Sequence, residues 1–256
     1  MFYGDFSDIN KKVAFRMALD TIAETFTSIY AADNLIAIEK AAGFFKDEKF
    51  KLSFEKYADT DQEKSLGWRL HTLVWATRHC LDIPGDFVEC GVLRGFSSAV
   101  IADYHGFESV NKSMYLYDTF EGKPAENNGP YEQYEVHAKM NTDDKESVYR
   151  YVLNRFGKYK NVIITKGILP QTLEIVCPAE ISFMHIDLNS ADAEIGVLEV
   201  LFDRVSPGGI IVLDDYGWLA YEKQKIVEDE FFGRRNHSVL ELPTGQGLVI
   251  KRNSTY

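Results

Sequence analysis

From Pro84 onward the chain alternates short apolar segments with stretches of helical period, and this alternation restricts the fold more than any other feature. Each apolar segment ends in a polar residue or a glycine, and the segments span residues 87–90, 114–117, 162–165, 181–186 and 210–213. Strands that alternate with helices favour a parallel sheet covered on both faces. The sequence therefore predicts an α/β fold with a doubly wound, mostly parallel, seven-stranded sheet.

The end of the chain predicts a hairpin. Two apolar segments, 239–242 and 248–251, are separated by the turn sequence Pro243-Thr244-Gly245. Because strands joined by so short a link are antiparallel, the last strand is expected to insert against the direction of the others. Ligands of such sheets bind at the carboxyl ends of the strands, where the winding reverses. The residues that follow each strand are therefore the candidates for chemistry.

Residues 1–83 are predicted to be an N-terminal helical extension or cap, and residues 84–256 a catalytic domain. Apolar residues recur at steps of three and four in two stretches, first Phe15, Leu19, Ile22, Phe26 and Ile29, then Leu66, Leu70, Leu73, Thr77 and Leu81. This spacing is typical of amphipathic helices. Their apolar faces must pack on something, so we expect a cap or a contact in a homo-oligomer.

Composition limits the classes of partner. The 256 residues are 45% apolar and carry a formal charge of −11 without a dense basic patch, which disfavours nucleic acid and anionic membranes. No basic leader precedes an apolar run, and no stretch approaches the ~20 apolar residues of a membrane span. Three widely spaced cysteines, Cys80, Cys90 and Cys177, are read as reduced thiols. We expect a cytoplasmic protein that is neither exported nor embedded.

The first strand of the sheet runs into a glycine turn, Glu89-Cys90-Gly91-Val92-Leu93-Arg94-Gly95, and then into a helix through Phe96-Ser97-Ser98. Gly91 and Gly95 permit a tight turn and the close approach of a ligand, and the helix N-terminus offers N–H donors. Glu89 would repel a pyrophosphate but would accept hydrogen bonds from an ammonium group of a methionine moiety. The turn predicts S-adenosylmethionine, the alternative being a purely structural turn, with candidate contacts at Glu89, Gly91, Arg94, Gly95 and Ser97.

Asp118 ends the second strand of the sheet. An acid at this position commonly binds the two hydroxyls of a ribose. The alternative is an aspartate that caps a helix. Thr119 opens the loop that follows, which we expect to wrap the adenosine.

Three aspartates follow two strands that are expected to be neighbours: Asp187 after 181–186, and Asp214 with Asp215 after 210–213. Their carboxylates would repel one another at one edge of the sheet unless they were protonated or bound a cation. Oxygen ligands of this kind suit Mg²⁺. The alternative is that they cap a helix or face solvent. His185, two residues before Asp187, is expected to serve in the core.

Together these motifs resemble the macrocin O-methyltransferase family, whose members methylate sugar hydroxyls of macrolide and aminocoumarin antibiotics. The resemblance rests on residues 89–95, on Asp118-Thr119-Phe120-Glu121-Gly122-Lys123-Pro124, on Asp187, and on Ser206-Pro207-Gly208-Gly209 leading to Asp214-Asp215-Tyr216-Gly217. It covers residues 84–251 and implies a class I methyltransferase fold. It also implies that Glu89, Gly91, Gly95 and Asp118 hold the cofactor, with Gly167 and Ile168 near its adenine.

The resemblance further implies Mg²⁺ bound by Asp187, Asp214 and Asp215. One departure is that this chain has Asp187-Leu188-Asn189 where the family has Asp-Gly-Asp. Asp187 is then the first candidate for general base and His137 the second. Tyr216, Trp218 and Tyr221 are expected to line a pocket for a small-molecule hydroxyl acceptor. Tyr131, Tyr134 and His137 are expected to form a lid over it, the alternative being a solvated loop with a few anchoring rings.

Three other classes fit parts of the pattern. An NAD(P)-dependent oxidoreductase would share the sheet but not Glu89 in the turn. A non-catalytic S-adenosylmethionine-binding module would not need the three aspartates. A catechol or phenol O-methyltransferase would use the same metal geometry, so only the acceptor separates it from a sugar enzyme.

Overall fold

The structure is a computed structural model that describes residues 1–4, 7–121 and 145–253, with side chains of the last segment described from Val148 on. Its contacts divide the chain into two compact units, Met1–His71 and Thr72–Tyr256. The division falls inside the helix Gly67–Cys80, whereas the sequence pattern predicts it just before the first strand of the large sheet. None of the helices in the described ranges is long and apolar enough to cross a membrane.

The first unit combines helices with a small β-hairpin. Its elements are α1 (Ile9–Thr25), β1 (Ile29–Ala32), β2 (Leu35–Ile38), α2 (Glu48–Tyr57), α3 (Asp61–Ser65) and the start of α4 (Gly67–Cys80). The prediction of a helix through Ile29 was wrong, because α1 ends at Thr25 and Ile29 opens β1. The reason is the turn at Asp33-Asn34, whose positive φ angles of 53° and 54° close an antiparallel hairpin.

Aromatic rings fill the interior of the first unit. Phe44 is central, since its ring stacks on that of His71 at 4.7 Å and meets the ring of Trp68 at 5.3 Å. By contrast, α1 has no buried residue, and Ile9 and Met17 are about two-thirds exposed. The packing of α1 on another surface stays a prediction.

A buried ion pair stabilises the hairpin turn of the first unit. Arg69 Nε lies 2.7 Å from Asp33 Oδ2, and both side chains are less than a tenth exposed. We expect Arg69→Ala to lower the free energy of unfolding by about 3–5 kcal/mol, because it removes the cation of a buried ion pair with Asp33. Denaturant unfolding measures this loss. Lys64→Ala, which removes the exposed pair with Asp61 (3.8 Å), is the control and should cost ~0.5 kcal/mol or less. Equal losses in the two variants would contradict the prediction.

The second unit is a seven-stranded sheet with helices. Its strands are β3 (Asp86–Cys90), β4 (Met114–Asp118), β5 (Val162–Lys166), β6 (Ile181–Ile186), β7 (Val205–Leu213), β8 (Leu240–Glu241) and β9 (Gly247–Ile250). The helices are the rest of α4, α5 (Phe96–His105), α6 (Lys145–Phe156), α7 (Ala191–Leu201) and α8 (Glu222–Arg234). The strand order is β5-β4-β3-β6-β7-β9-β8.

Pairing within the sheet confirms the predicted topology. Strands β3 to β7 pair in parallel, and β9 pairs antiparallel with both β7 and β8. The predicted hairpin and the insertion of the last strand are therefore confirmed. The winding reverses between β3 and β6, since β4 and β5 lie on one side and β7 on the other. This is where a ligand of such a sheet binds.

The core lies around β6, which is buried along its whole length. Residues of β7, α7 and α8 pack on one another beside it, including Ile211, Leu198 and Phe232. Strand β7 begins at Val205 rather than at the predicted 210, because Ser206-Pro207-Gly208-Gly209 also belongs to the strand and Gly208 N donates to Lys251 O. The cysteines are free thiols, and two of the three are fully buried.

Candidate active site

The glycine turn after β3 is shaped by contacts that exclude a side chain. Gly91 has a φ of 90°, and a Cβ atom there would lie 1.8 Å from the carbonyl oxygen of Asp187. Gly95 has a φ of 74°, and its Cβ would lie 2.7 Å from Cε2 of Phe156. Both positions therefore require glycine. The turn is held against the end of β6 and against α6.

Asp118 binds the glycine turn from the neighbouring strand. Its Oδ2 accepts hydrogen bonds from Val92 N (2.7 Å) and Leu93 N (2.8 Å), and its Oδ1 accepts one from Phe120 N (2.6 Å). Both carboxylate oxygens thus have backbone partners. The predicted contact with a ribose stays a prediction, and the bridge to the turn is a role that the spacing in the sequence did not suggest.

Glu89 lies beneath the turn in a buried polar cluster. Its Oε1 is 2.9 Å from His185 Nδ1, and its Oε2 accepts a hydrogen bond from Ser98 Oγ. His185 Nε2 is 3.4 Å from Asp214 Oδ1, which is an ion-pair distance without hydrogen-bond geometry. Burial lowers the pKa of His185, but the carboxylates of Asp214 and Glu89 outweigh it and raise the pKa to about 10. His185 is therefore a buried cation between two carboxylates, in agreement with a place in the core.

The remaining predicted cofactor residues border the turn. The Arg94 guanidinium stacks 4.7 Å from the ring centre of Tyr151, and its buried Nε has no hydrogen-bond partner among residues 1–4, 7–121 and 145–253. Ser97 is half-buried in the first turn of α5, where Gly95 provides no side-chain cap. An unpartnered guanidinium N–H beside an uncapped helix N-terminus suits a carboxylate such as that of a methionine moiety. By this observation these residues fit S-adenosylmethionine.

The loops after β4 and β5 lie side by side. Gly167 N donates to Asp118 O at 2.9 Å, which ties the two loops together at the sheet edge. Thr119 is half-buried and its hydroxyl accepts a hydrogen bond from Glu121 N. Ile168 is 64% exposed, so an apolar side chain faces solvent beside the predicted adenine position.

The structure brings Asp187 and Asp214 together at the sheet edge. Asp187 N donates to Cys90 O, and Asp214 N donates to Ile186 O, so both residues continue the hydrogen-bond ladder beyond the strands. Asp187 Oδ1 accepts a hydrogen bond from Asn189 Nδ2 at 2.9 Å. The amide that replaces the family's second acid therefore orients Asp187.

The three aspartates were also tested as a metal site. Their oxygen atoms fit Mg²⁺ in donor chemistry. Their placement does not, since within residues 1–4, 7–121 and 145–253 no three His, Cys, Asp or Glu side chains are arranged so that they could hold a metal ion.

The predicted acceptor residues differ in accessibility. Tyr216 is 5% exposed, its hydroxyl donates to Asp229, and Lys225 Nζ lies 3.6 Å from its ring centre, so its ring packs between β7 and α8. Trp218 is half-buried against Gly245, where a Cβ would lie 2.3 Å from Trp218 Nε1. Tyr221 is half-buried. Tyr131, Tyr134 and His137 lie outside the described residues.

Sequence reasoning missed several buried polar residues around the aspartates. Gln246, in the β8–β9 turn, is fully buried and donates to Asp214 Oδ1 at 2.9 Å. Glu194 accepts hydrogen bonds from Leu188 N (3.2 Å) and Gln224 Nε2 (2.6 Å). Burial raises the pKa of Glu228 to about 7 and raises that of neighbouring Glu194 well above its usual range. Nothing in the sequence distinguishes Glu194 and Glu228 from the other acidic residues of α7 and α8.

A mostly parallel sheet with this strand order, an antiparallel last insertion and a glycine turn at the reversal point defines the class I methyltransferase fold. Within this class the chain belongs to the macrocin-O-methyltransferase (TylF) family, whose model matches residues 68–241. An oxidoreductase is therefore not the class that the fold and family indicate.

Two curated relatives and one solved structure illustrate the similarity. The chain is 27% identical to 8-demethyl-8-(2,3-dimethoxy-alpha-L-rhamnosyl)-tetracenomycin-C 4'-O-methyltransferase of Streptomyces olivaceus, over 57% of this chain and 62% of the relative. It is 24% identical to mycinamicin III 3''-O-methyltransferase of Micromonospora griseorubida, over 57% and 65%. The chain thus matches less than two-thirds of the length of either relative. The structure of the O-methyltransferase NovP has the same fold, with a TM-score of 0.59 and 20% identity over 72% of this chain and 80% of that one.

Proposed function

We propose that this chain is an S-adenosylmethionine-dependent O-methyltransferase that acts on a hydroxyl of a sugar or of another small natural product. The observation that carries the proposal is the contact between the glycine turn and the end of β6, which puts Gly91 directly against Asp187. A cofactor turn and a carboxylate thus meet at the reversal point of the sheet. The family and the two sugar O-methyltransferases among its relatives support this acceptor class.

Asp187 is the residue that we propose as general base. When bound, S-adenosylmethionine supplies an electrophilic methyl group next to a positively charged sulfur. Asp187 would accept the proton of the acceptor hydroxyl as the oxygen–carbon bond forms, while the sulfur retains the electron pair of the bond that breaks. Asn189 holds Asp187 Oδ1, so that one carboxylate oxygen is oriented before the acceptor arrives. Arg94 and the start of α5 would bind the carboxylate of the methionine moiety.

Cofactor binding is the first test of the proposal. We expect micromolar binding of S-adenosylhomocysteine to the wild type in titration calorimetry, and at least a tenfold weaker affinity for Asp118→Ala, because the variant removes the acceptor of three N–H groups in the turn and its loop. Asp203→Asn, which changes an aspartate that is 91% exposed, is the control and should bind like the wild type. A wild-type protein that binds no S-adenosylhomocysteine would contradict the proposal.

Magnesium dependence is a separate part of the proposal. The carboxylate oxygens of Asp187, Asp214 and Asp215 support magnesium binding, since they are the ligands that Mg²⁺ prefers. The three side chains would have to change their positions to bind the ion. We expect turnover to fall at least tenfold in EDTA and to return with Mg²⁺ but not with the same concentration of NaCl. Unchanged turnover in EDTA would remove the metal from the mechanism and leave Asp187 as the proposed base.

Two further parts of the proposal concern the oligomeric state and the cellular location of the protein. The exposed apolar residues Ile9, Val13 and Met17 of α1 support a homo-oligomer, which light scattering after gel filtration would test. The three free thiols support a cytoplasmic location. A screen of sugar and catechol acceptors separates the two classes of hydroxyl.

A further inference from the structure

A row of buried and partly buried polar side chains crosses the sheet from α5 to the β8–β9 turn. We call it the transverse polar chain, and its members in order of contact are Ser98, Glu89, His185, Asp214 and Gln246. The successive contacts are a hydrogen bond from Ser98 Oγ to Glu89 Oε2, then 2.9 Å, 3.4 Å and 2.9 Å between the following pairs. The transverse polar chain therefore joins the glycine turn, on one side of the reversal point, to Asp214, on the side where the acceptor is proposed to bind.

The strand register places these contacts on three adjacent strands. Glu89 of β3 pairs with His185 of β6, and Leu213, which precedes Asp214, pairs with Ile186. Glu89, His185 and Gln246 are each less than 5% exposed. In such a dry environment the attraction between an imidazole and a carboxylate is strong, and losing either partner is costly. Removal of one partner is therefore expected to disturb its neighbours in the transverse polar chain.

His185 is the only described member of the transverse polar chain that contacts both carboxylates. Its ring is planar, and its two nitrogen atoms face Glu89 and Asp214 in opposite directions. Because both carboxylates contact the same buried ring, a displacement of one carboxylate is expected to move the ring and with it the other carboxylate.

We propose that His185 is a positioning residue that couples the cofactor side of the site to the acceptor side, by holding Glu89 and Asp214 in one fixed relation. The inference rests on the proposed function, since it assumes that the glycine turn binds the cofactor. Coupling of this kind is reciprocal, so that a change at Asp214 must be felt in the affinity for the cofactor.

A double-mutant cycle tests the coupling. The affinity for S-adenosylhomocysteine is measured by calorimetry in EDTA, which removes any effect of metal, for wild type, Asp214→Asn, His185→Gln and the double variant. We expect Asp214→Asn to weaken binding about fivefold or more when His185 is present, and to have no further effect in the His185→Gln background. His237→Gln, which changes a histidine outside the transverse polar chain, is the control, and Asp214→Asn should keep its full effect in that background.

The outcomes separate the inference from the proposed function. Equal effects of Asp214→Asn in the wild-type and His185→Gln backgrounds, or no effect in the wild-type background, would overturn the coupling and leave the proposed function intact. A wild-type protein that binds no S-adenosylhomocysteine would overturn both.

A second measurement needs no substitution at the buried histidine. In wild-type protein labelled with ¹⁵N-histidine, addition of S-adenosylhomocysteine should shift the signal of His185 Nε2, the nitrogen that faces Asp214, and leave the signals of His237 in place. An unchanged Nε2 signal on saturation with S-adenosylhomocysteine would overturn the coupling even if His185→Gln gave no folded protein.

Discussion

Asp187→Asn is expected to lower kcat for methyl transfer by about 10²–10⁴-fold, while the affinity for S-adenosylhomocysteine stays within about twofold of wild type. The carboxamide has nearly the size of the carboxylate, so the turn that contacts the backbone of residue 187 is preserved. What is lost is the ability to take a proton from the acceptor hydroxyl. Transfer of a radiolabelled methyl group to an acceptor identified by screening measures kcat, and calorimetry measures the affinity.

The control for this variant is Asp192→Asn, which changes an exposed aspartate in the first turn of α7 close by in sequence. It should keep wild-type kcat. An Asp187→Asn enzyme that retained most of its turnover would show that another group removes the proton. A loss of cofactor affinity in the same variant would show that Asp187 acts on the turn rather than on the acceptor.

The second large effect is expected at Gly91. Gly91→Ala should lower the free energy of unfolding by ~3 kcal/mol or more and abolish S-adenosylhomocysteine binding, because the new Cβ would lie 1.8 Å from a backbone oxygen in addition to the strain of a φ of 90°. Denaturant unfolding and calorimetry measure the two losses. Backbone on both sides of the contact must move, which opens the turn.

Gly106→Ala is the control that separates the steric clash of a new Cβ from the strain of a positive φ. Gly106 also has a positive φ, 62°, but a Cβ there would meet nothing within 4 Å. It should cost only about 1 kcal/mol and leave cofactor binding unchanged. Equal losses at the two glycines would mean that the contact of Gly91 with Asp187 does not constrain the turn.

The expected effects at Asp187 and Gly91 share a structural cause. Three residues other than glycine adopt left-handed conformations in the loops after β3, β4 and β6, namely Leu93 (φ 51°), Phe120 (φ 53°) and Asn189 (φ 55°). Two of them are held by Asp118, and the third donates to Asp187. Such conformations cost free energy and persist where surrounding contacts determine them. The edge of the sheet is therefore organised before any ligand binds.

Much of the second unit could be predicted from local pattern. Ile181–Ile186 was predicted to the residue, because the segment is mostly apolar and ends sharply at Asp187. The hairpin β8–β9 followed from its short link. In the first unit the helical spacing of apolar residues gave a wrong prediction at Ile29. The spacing of three and four continues by chance into β1, whose conformation is decided by the hairpin turn.

The sequence by itself determined that the sheet is mostly parallel and which residues follow each strand. Both depend on apolar periodicity and glycine positions, which are local properties of the sequence. It also placed Asp187 and Asp214 on neighbouring strands. Only the tertiary structure decided what these residues contact: Asp118 bound to the turn, His185 between Glu89 and Asp214, and Gln246 on Asp214. These contacts join side chains to partners 25 to 96 residues away along the chain. The strength of these contacts depends on how deeply they are buried. Burial is decided by the packing of the strands rather than by neighbours in the sequence.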